Sequence, residues 1–155
     1  GSCLPKDVRA LQHLSTDIGA NTHLIDTLLR SNESHKLFQY EEATQGLAKG
    51  ASVLLVGLAF KVGTDDLRES PNLDIARRLL DDGFKLDIYD PGLDPSRLVG
   101  CNLGYAYSYL PSLDALLIGK TTAQGRRYDL VIATNATIRE LDLDSARIID
   151  IGSIK

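Results

Sequence analysis

The sequence has few of the features that mark a membrane protein, a disulfide-rich protein or a zinc protein. No apolar run in its 155 residues approaches the roughly 18 residues that suggest a membrane span, and no signal-peptide pattern opens it. Its only cysteines, Cys3 and Cys101, fit neither a disulfide framework nor a zinc site, and its three histidines lack metal-ligand spacing. We therefore expect a cytoplasmic protein without membrane association or a metal site, in which Cys101 has a packing role.

An excess of positive charge is also lacking. The chain has 21 acidic and 17 basic residues and a formal net charge of -4, which argues against nucleic acid as a partner. Hydrophobic residues make up 43% and charged residues 25%, as is typical of a globular domain. An anionic small ligand stays compatible with this balance, because it needs only a local cluster of hydrogen-bond donors.

Hydrophobic periodicity divides the chain at about residue 50. The first part has helical spacing and no strand-like run, which predicts a helix over 5–30 that Gly19 can interrupt and a second over 32–48 that stops at Gly50. The second part alternates strand and helix patterns. Its predicted strands are 53–57, 85–89, 128–134 and 147–151. Ser70 is predicted to cap a helix that has Pro71 at its first position, and a short helix is predicted over 112–118. The sequence predicts an α/β fold, in which a helical segment (1–49) is followed by an open parallel Rossmann-like sheet with helices on both faces (50–155).

The first residues place a thiol, an ammonium and a carboxylate close together, in the run Gly1-Ser2-Cys3-Leu4-Pro5-Lys6-Asp7. A helix beginning at about Pro5 directs its backbone N–H groups and positive dipole end at Cys3, and Lys6 adds a full positive charge. Both effects favour the thiolate over the thiol. Pro5 and Asp7 are also ordinary helix-start residues, so the run is equally compatible with a small, buried and inert cysteine.

The loop over residues 58–69 follows the first predicted strand, where ligands bind in parallel sheets. Lys61 and Arg68 in this loop can meet phosphates or a carboxylate. The loop lacks a Gly-x-Gly-x-x-Gly motif, so a standard dinucleotide cradle is not supported. Alternatively, the two cations pair with the loop's own carboxylates as a self-neutralising surface segment; these are Asp65, Asp66 and Glu69.

Two polar residues follow the later strands. Asp90 ends the second predicted strand, where an acid often meets a ribose hydroxyl in Rossmann-type sheets. The following Pro91-Gly92 also makes it a good turn residue, and we favour the turn role. Asn135 follows the third strand and is by itself a weak indication of a ligand.

Three segments together resemble the UDP-glucose/GDP-mannose dehydrogenase family. They are the run 1–7, Gly57-Leu58-Ala59-Phe60-Lys61 and Thr64-Asp65-Asp66-Leu67-Arg68-Glu69-Ser70-Pro71. The resemblance covers nearly the whole chain, as the end of the family's central helical domain (1–49) and its C-terminal nucleotide-sugar-binding domain (50–155). Leucine after the cysteine and the run 63–71 are more similar to the GDP-mannose branch than to the UDP-glucose branch.

The resemblance implies a reaction. It is the four-electron oxidation of a sugar C6 alcohol to a carboxylate, GDP-mannose to GDP-mannuronate, with two NAD molecules used in succession. Cys3 would be the covalent nucleophile, forming a thiohemiacetal and then a thioester. Asp7 would act on the attacking water or organise the proton transfers.

The resemblance also implies ligands and partners. Lys6 and Arg68 would bind NAD, and Gly1 and Lys61 the nucleotide sugar, either GDP-mannose or UDP-glucose. Residues 4–48 would form a homodimer. Full family members carry an NAD-binding domain ahead of the position of Gly1, so we expect the 155-residue chain to be inactive alone. The alternatives are a UDP-glucose 6-dehydrogenase fragment, a non-catalytic nucleotide-binding and dimerisation module, or an α/β regulator that shares only the fold.

Overall fold

A computed structural model of the protein describes residues 3–20, 22–144 and 147–154, and for Cys3 and Leu4 it describes the backbone only. The chain begins with two helices, α1 (Cys3–Asp17) and α2 (His23–Thr44). In this described part of the chain, no helix combines the length and the apolar character that crossing a membrane requires.

The predicted interruption near Gly19 is confirmed, because α1 ends at Asp17 and Gly19 has a φ of 66°. The predicted second helix start at residue 32 is wrong, since α2 runs unbroken from His23 through this position. No Gly or Pro stands there to break it. The predicted stop at Gly50 is also wrong: α2 ends at Thr44, and Gly46 follows with a φ of 76°.

A four-stranded sheet follows, and all its strands are parallel, in the order β2-β1-β3-β4. The remaining elements are β1 (Ser52–Val56), α3 (Pro71–Asp81), β2 (Lys85–Tyr89), α4 (Gly100–Tyr109), α5 (Leu113–Leu116), α6 (Lys120–Gly125), β3 (Leu130–Ala133) and β4 (Ile148–Asp150). Short 3-10 turns occupy Pro95–Arg97, Ala136–Glu140 and Ile151–Ser153. The α/β prediction, with a parallel sheet flanked by helices, is confirmed.

The two central strands hold the core. Apart from Ser52, every residue of β1 and β3 is buried, and successive side chains point to opposite faces of the sheet. Leu55 packs with the apolar stripes of α3 and α4, whereas Leu54 packs with Tyr128 and Val131 on the other face. Burial on both faces explains why these strands are continuous apolar runs.

Helix α2 attaches the helical hairpin to this sheet. Ala43 is fully buried, and Tyr40 is buried with its hydroxyl donating to Asp82 at the end of α3. Gln39 donates to the carbonyls of Ile151 and Ile154. The contact therefore fixes α2 against the end of α3 and the turn that follows β4.

Helix α4 lies in the segment 93–109, for which the sequence shows no readable period. Gly100, Gly104 and three tyrosines give this helix a low intrinsic propensity. It forms because tertiary packing compensates: Ala106 is fully buried, and α4 contacts α3. Helix α6 (Lys120–Gly125) has only six residues and is also weakly marked in the sequence.

Candidate functional site

The first part of the loop after β1 is fixed by hydrogen bonds from its neighbours. The Asp90 carboxylate accepts from the backbone N–H groups of Leu58 at 2.8 Å and Ala59 at 2.9 Å. Its other oxygen accepts from Gly92 N at 3.1 Å, closing the turn after β2. The Asp90 side chain is thus occupied by the backbone, and the favoured turn role is confirmed.

The crevice between β1 and β3 is the point at which the strand order reverses, where ligands bind in open parallel sheets. Its floor is occupied by the protein's own polar side chains. Asn72 is 6% exposed and donates to Ala59 O and to the Thr134 hydroxyl, which itself donates to Gly57 O at 2.7 Å. Ser70, the predicted helix cap, instead donates to Leu58 O at 2.8 Å. The open polar pockets lie further out, beside the loop.

The second part of the loop is held by α4. The Asn102 side-chain amide donates to Asp65 O at 2.8 Å and accepts from Leu67 N at 2.9 Å. The Asn102 amide thus makes the two hydrogen bonds that a neighbouring strand would make with the loop backbone. The side chains of Asp66 and Arg68, on either side of Leu67, are not used in these bonds. Leu67 itself is fully buried.

A pocket of about 350 Å³ opens where this part of the loop meets α1 and α4. Its walls are formed by Lys6, Arg9, Arg68, Glu69, Cys101 and Tyr105. Three cations and one carboxylate give the pocket a positive balance. We call it the cationic pocket.

Two ion pairs set the charges of the cationic pocket. Arg68 makes a bidentate ion pair with Asp66, in which Nε donates to Oδ1 and Nη2 donates to Oδ2, both at 2.9 Å. These hydrogen bonds lower the pKa of Asp66 and raise that of Arg68. Arg9 Nη1 lies 2.7 Å from Glu69 Oε1, and this hydrogen bond raises the pKa of Arg9. In both pairs the arginine side chain stays half exposed, at 51% for Arg68 and 49% for Arg9.

Comparison with known proteins identifies the family. Residues 54–150 match the UDP-glucose/GDP-mannose dehydrogenase family, UDP binding domain. This match covers more than half of the chain. The chain belongs to the UDP-glucose/GDP-mannose dehydrogenase family.

Individual relatives lie in both branches of the family. A GDP-mannose 6-dehydrogenase of Pseudomonas putida is 41% identical over 137 residues, which are 87% of this chain and 30% of that protein. A UDP-glucose 6-dehydrogenase of Pseudomonas aeruginosa is 42% identical over 94 residues, 59% of this chain and 21% of that protein. The chain thus spans about 30% of the length of the GDP-mannose relative.

Solved structures of the family share the fold. A crystal structure of a ternary complex of GDP-mannose dehydrogenase from Pseudomonas aeruginosa superposes with a TM-score of 0.74 at 30% identity. It covers 95% of this chain and 36% of the other. A UDP-glucose dehydrogenase from Pyrobaculum islandicum gives a TM-score of 0.72 at 23% identity, which supports the fold alone.

Only some of the residues predicted to bind the family's ligands line the cationic pocket. Lys6 and Arg68, which are 62 positions apart, both line the cationic pocket. Lys61 is exposed and is not among the residues that line it. Asp7 is exposed beside Lys6, with their charged atoms 3.9 Å apart. Gly1 and the Cys3 side chain lie outside what the structure describes.

Sequence reasoning missed several residues of the pocket. Cys101 is exposed and lines it, so the expected packing role is wrong. Tyr105 lies one helical turn further along α4, and Arg9 comes from α1. Recognising α4 would have revealed the i, i+4 spacing of Cys101 and Tyr105. The prediction of a self-neutralising loop holds for Arg68 with Asp66; in the described ranges 3–20, 22–144 and 147–154, Lys61 forms no ion pair within 4 Å.

A second polar pocket of about 300 Å³ lies beyond the carboxyl ends of β1 and β2. It is lined by Gly63, Thr64, Asp65, Gly92, Asp94 and Arg97. Within the described residues, no group of three or more His, Cys, Asp or Glu side chains is placed to hold a metal ion. Unlike the cationic pocket, this second pocket has no lining residue from α1.

Proposed function

We propose that this chain is the C-terminal part of an NAD-dependent nucleotide-sugar 6-dehydrogenase that converts GDP-mannose to GDP-mannuronate. Residues 1–49 would be the end of its central helical dimerisation domain and residues 50–155 its nucleotide-sugar-binding domain. Support comes from GDP-mannose 6-dehydrogenases that match up to 92% of the chain at 34–42% identity.

The observation that carries the proposal is the meeting of two distant motifs at the cationic pocket. Lys6 belongs to the cysteine motif and Arg68 to the loop after β1, yet both line one cavity. Two solvent-accessible cations in one pocket suit the two adjacent phosphates of a dinucleotide such as NAD. When bound, NAD accepts the hydride in each of the two oxidations.

Cys3 is proposed as the nucleophile of the second oxidation. Its thiolate adds to the C6 aldehyde to give a thiohemiacetal, loss of hydride gives a thioester, and water releases the acid with the thiolate regenerated. Asp7 follows four positions later on α1, one helical turn away, where it can take a proton from the attacking water. Lys6 lies between them and favours the thiolate.

The sugar nucleotide is proposed to bind through Gly1 and Lys61, of which Lys61 is exposed and does not line the cationic pocket. Calorimetric titration of the chain with GDP, UDP, GDP-mannose and UDP-glucose tests this. We expect the guanine nucleotides to bind more tightly, and Lys61→Gln to weaken their binding. Tighter binding of the uridine nucleotides would instead establish the UDP-glucose alternative, which the relative at 42% identity represents.

The hairpin of α1 and α2 is proposed as a homodimer interface. Its exposed apolar side chains include Leu11, Leu14, Ile18, Leu24 and Leu28, of which Leu24 is 77% exposed. Exposed apolar side chains on both helices of the hairpin favour burial against a second copy. Sedimentation equilibrium should give a dimer that Leu14→Glu dissociates; a chain that is monomeric at all concentrations would contradict the proposal.

The isolated chain is expected to be inactive. Its 155 residues hold no Gly-x-Gly-x-x-Gly unit that could seat the dinucleotide of a hydride transfer. We expect no NADH when the purified chain is mixed with NAD and GDP-mannose. NADH formation that Cys3→Ser abolishes would contradict this expectation. If the chain is instead a non-catalytic module, a longer protein that contains it would bind the nucleotide sugar without oxidising it.

A further inference from the structure

Arg68 and Glu69 are neighbours in sequence that are held by different parts of the molecule. Arg68 pairs with Asp66 within the loop, while Glu69 pairs with Arg9 of α1. Glu69 has a φ of 55°, the only positive value at a non-glycine residue in the described part of the chain. This backbone conformation is unfavourable for a side-chain-bearing residue, so the surrounding contacts must maintain it.

The Arg9 end of this contact is on the same face of α1 as Lys6. Residues three apart on a helix are neighbours on its surface, and both Lys6 and Arg9 line the cationic pocket. Fixing the Arg9 guanidinium against Glu69 therefore fixes the rotation of α1 about its axis. It also sets the distance of Lys6 from the loop that carries Arg68.

We propose that the Arg9–Glu69 ion pair is a positioning contact that holds Lys6 of α1 against Arg68 of the loop, so that both cations meet one diphosphate-bearing ligand. The identity of that ligand rests on the proposed function. The contact joins residues 60 positions apart, one on α1 and one on the loop after β1. It thus links the helix that carries the cysteine motif to that loop.

Because Glu69 is negatively charged, a positioning role and a purely electrostatic role predict opposite effects of removing its charge. Glu69 adds a negative charge to a pocket that is proposed to bind an anion. If charge alone mattered, Glu69→Gln would tighten anion binding, because it removes a repulsive carboxylate. If Glu69 acts by positioning, the same variant weakens binding.

Cys101 provides the measurement, because it is an exposed thiol in the wall of the pocket. In a Cys3→Ser background it is the only thiol, and its alkylation by iodoacetamide can be followed with and without inorganic pyrophosphate or NAD. We expect both ligands to protect it. We expect Glu69→Gln and Arg9→Gln to raise the half-protecting concentration about two- to fivefold, the range given by the coupling of an exposed ion pair.

Two variants control for charge and for the loss of one partner. Glu41→Gln makes the same chemical change on α2, where Glu41 is exposed and lines neither the cationic pocket nor the neighbouring pockets that contain Arg9 and Glu69. We expect it to leave protection unchanged. Exchanging the partners, Arg9→Glu with Glu69→Arg, restores the pair and should recover protection relative to either single variant. Unchanged or tighter binding in Glu69→Gln, or no recovery in the exchanged chain, would overturn the proposal.

Amide hydrogen exchange tests the contact without any ligand. We expect Glu69→Gln to speed exchange in residues 5–12 and 64–70 together, and Glu41→Gln to leave both segments unchanged. If neither segment responds to Glu69→Gln, the positioning role is wrong whatever binds. If both respond but no ligand protects Cys101 in the chain with native Arg9 and Glu69, the positioning contact stands and the proposed NAD site is wrong.

Discussion

The sheet and the helical hairpin bury their apolar residues in very different ways. In β1 and β3, seven leucine, valine and isoleucine residues are fully buried; they are Val53, Leu54, Leu55, Val56, Leu130, Val131 and Ile132. On the hairpin, Leu14 is 57% exposed, Ile18 70% and Leu24 77%. The sheet region completes most of its own core, to which the hairpin contributes the buried Tyr40 and Ala43 of α2.

This difference indicates where each region obtains its stability. Burial of apolar surface in the sheet is available to a single chain at any concentration. The hairpin's exposed leucines contribute only when another surface covers them. Substitutions that compare matched residues in the two regions should therefore give effects of very different size.

The largest effect is expected from Leu55→Ala in β1. Leu55 is fully buried at the centre of the larger apolar cluster, so its truncation should cost about 2–5 kcal/mol of unfolding free energy. The matched change Leu24→Ala, at a residue that is 77% exposed, should change it by less than about 0.5 kcal/mol. Urea unfolding monitored by circular dichroism measures both.

Protein concentration sharpens this comparison. If the hairpin pairs with a second copy, Leu24→Ala should become destabilising as the concentration rises, because dimerisation stabilises the folded state by mass action. The effect of Leu55→Ala should persist at every concentration. A cost at Leu24 equal to that at Leu55 in dilute solution would show that the hairpin has a monomeric core of its own.

A smaller but clear effect is expected at the junction of β1 with its loop. Gly57 has a φ of 90°, and an added methyl group would lie 2.7 Å from Thr134 Oγ1 and 2.8 Å from Asn135 Cγ. Gly57→Ala should therefore cost about 2–4 kcal/mol, from backbone strain and overlap together. Gly63→Ala is the control, since Gly63 has a φ of 76° with no atom near the added methyl group.

Gly63→Ala should cost about 1–2 kcal/mol, which isolates the strain of the left-handed backbone. The difference between the two variants then measures the close approach of β1 and β3 at the reversal of strand order. Equal costs, obtained from thermal unfolding, would show that the Thr134 and Asn135 side chains move aside freely.

The sheet was predictable from sequence because its signals are local. Buried parallel strands are continuous apolar runs, and Pro71 marks the start of α3. The break between α1 and α2 is marked in the sequence by Gly19, and the continuity of α2 through residue 32 agrees with the absence of Gly or Pro there. Helix α4 was missed for a different reason, since buried contacts such as those of Ala106 compensate for its low propensity.

The cationic pocket was predictable only in its motif residues. Lys6 and Arg68 were found through the family resemblance. Arg9 and Tyr105 carry no local signal of ligand binding, and they join the pocket because α1 and α4 approach the same loop. Asn102 could be placed only once α4 was known, because its amide contacts backbone groups more than 30 positions away.

A moderate effect is expected where the two regions meet. Tyr40 is 5% exposed and donates its hydroxyl hydrogen bond across the boundary to Asp82. Tyr40→Phe keeps the ring but loses this bond, which should cost about 1 kcal/mol. Tyr107→Phe is the matched change, since Tyr107 also donates to an aspartate, Asp114, at 2.6 Å, but at an exposed site.

We expect Tyr107→Phe to have a smaller effect than Tyr40→Phe in the same urea unfolding experiment. Tyr40→Phe should also speed amide hydrogen exchange in α2, because the hydrogen bond ties this helix to α3. Equal small effects of both variants would mean that packing of the ring and of Ala43, rather than the hydrogen bond, attaches the hairpin to the sheet.

The smallest effect is expected at the exposed Arg68–Asp66 pair, on the loop that faces the hairpin. The pair lowers the pKa of Asp66. Its stabilisation is therefore present above the ordinary aspartate pKa of about 3.9 and is lost as the pH falls through the lowered value.

Arg68→Gln should raise the Asp66 pKa only part of the way to its ordinary value, because the backbone N–H of residue 68 still donates to Asp66 at 3.0 Å. Carboxyl carbon chemical shifts followed by NMR between acid and neutral pH measure this. Asp129, whose pKa is lowered by hydrogen bonds from Ser52 N–H and Oγ, is the internal reference and should not change. An Asp66 titration that is identical in both proteins would mean that backbone donors, and not Arg68, hold this carboxylate ionised, leaving the Arg68 guanidinium free for a ligand at no electrostatic cost.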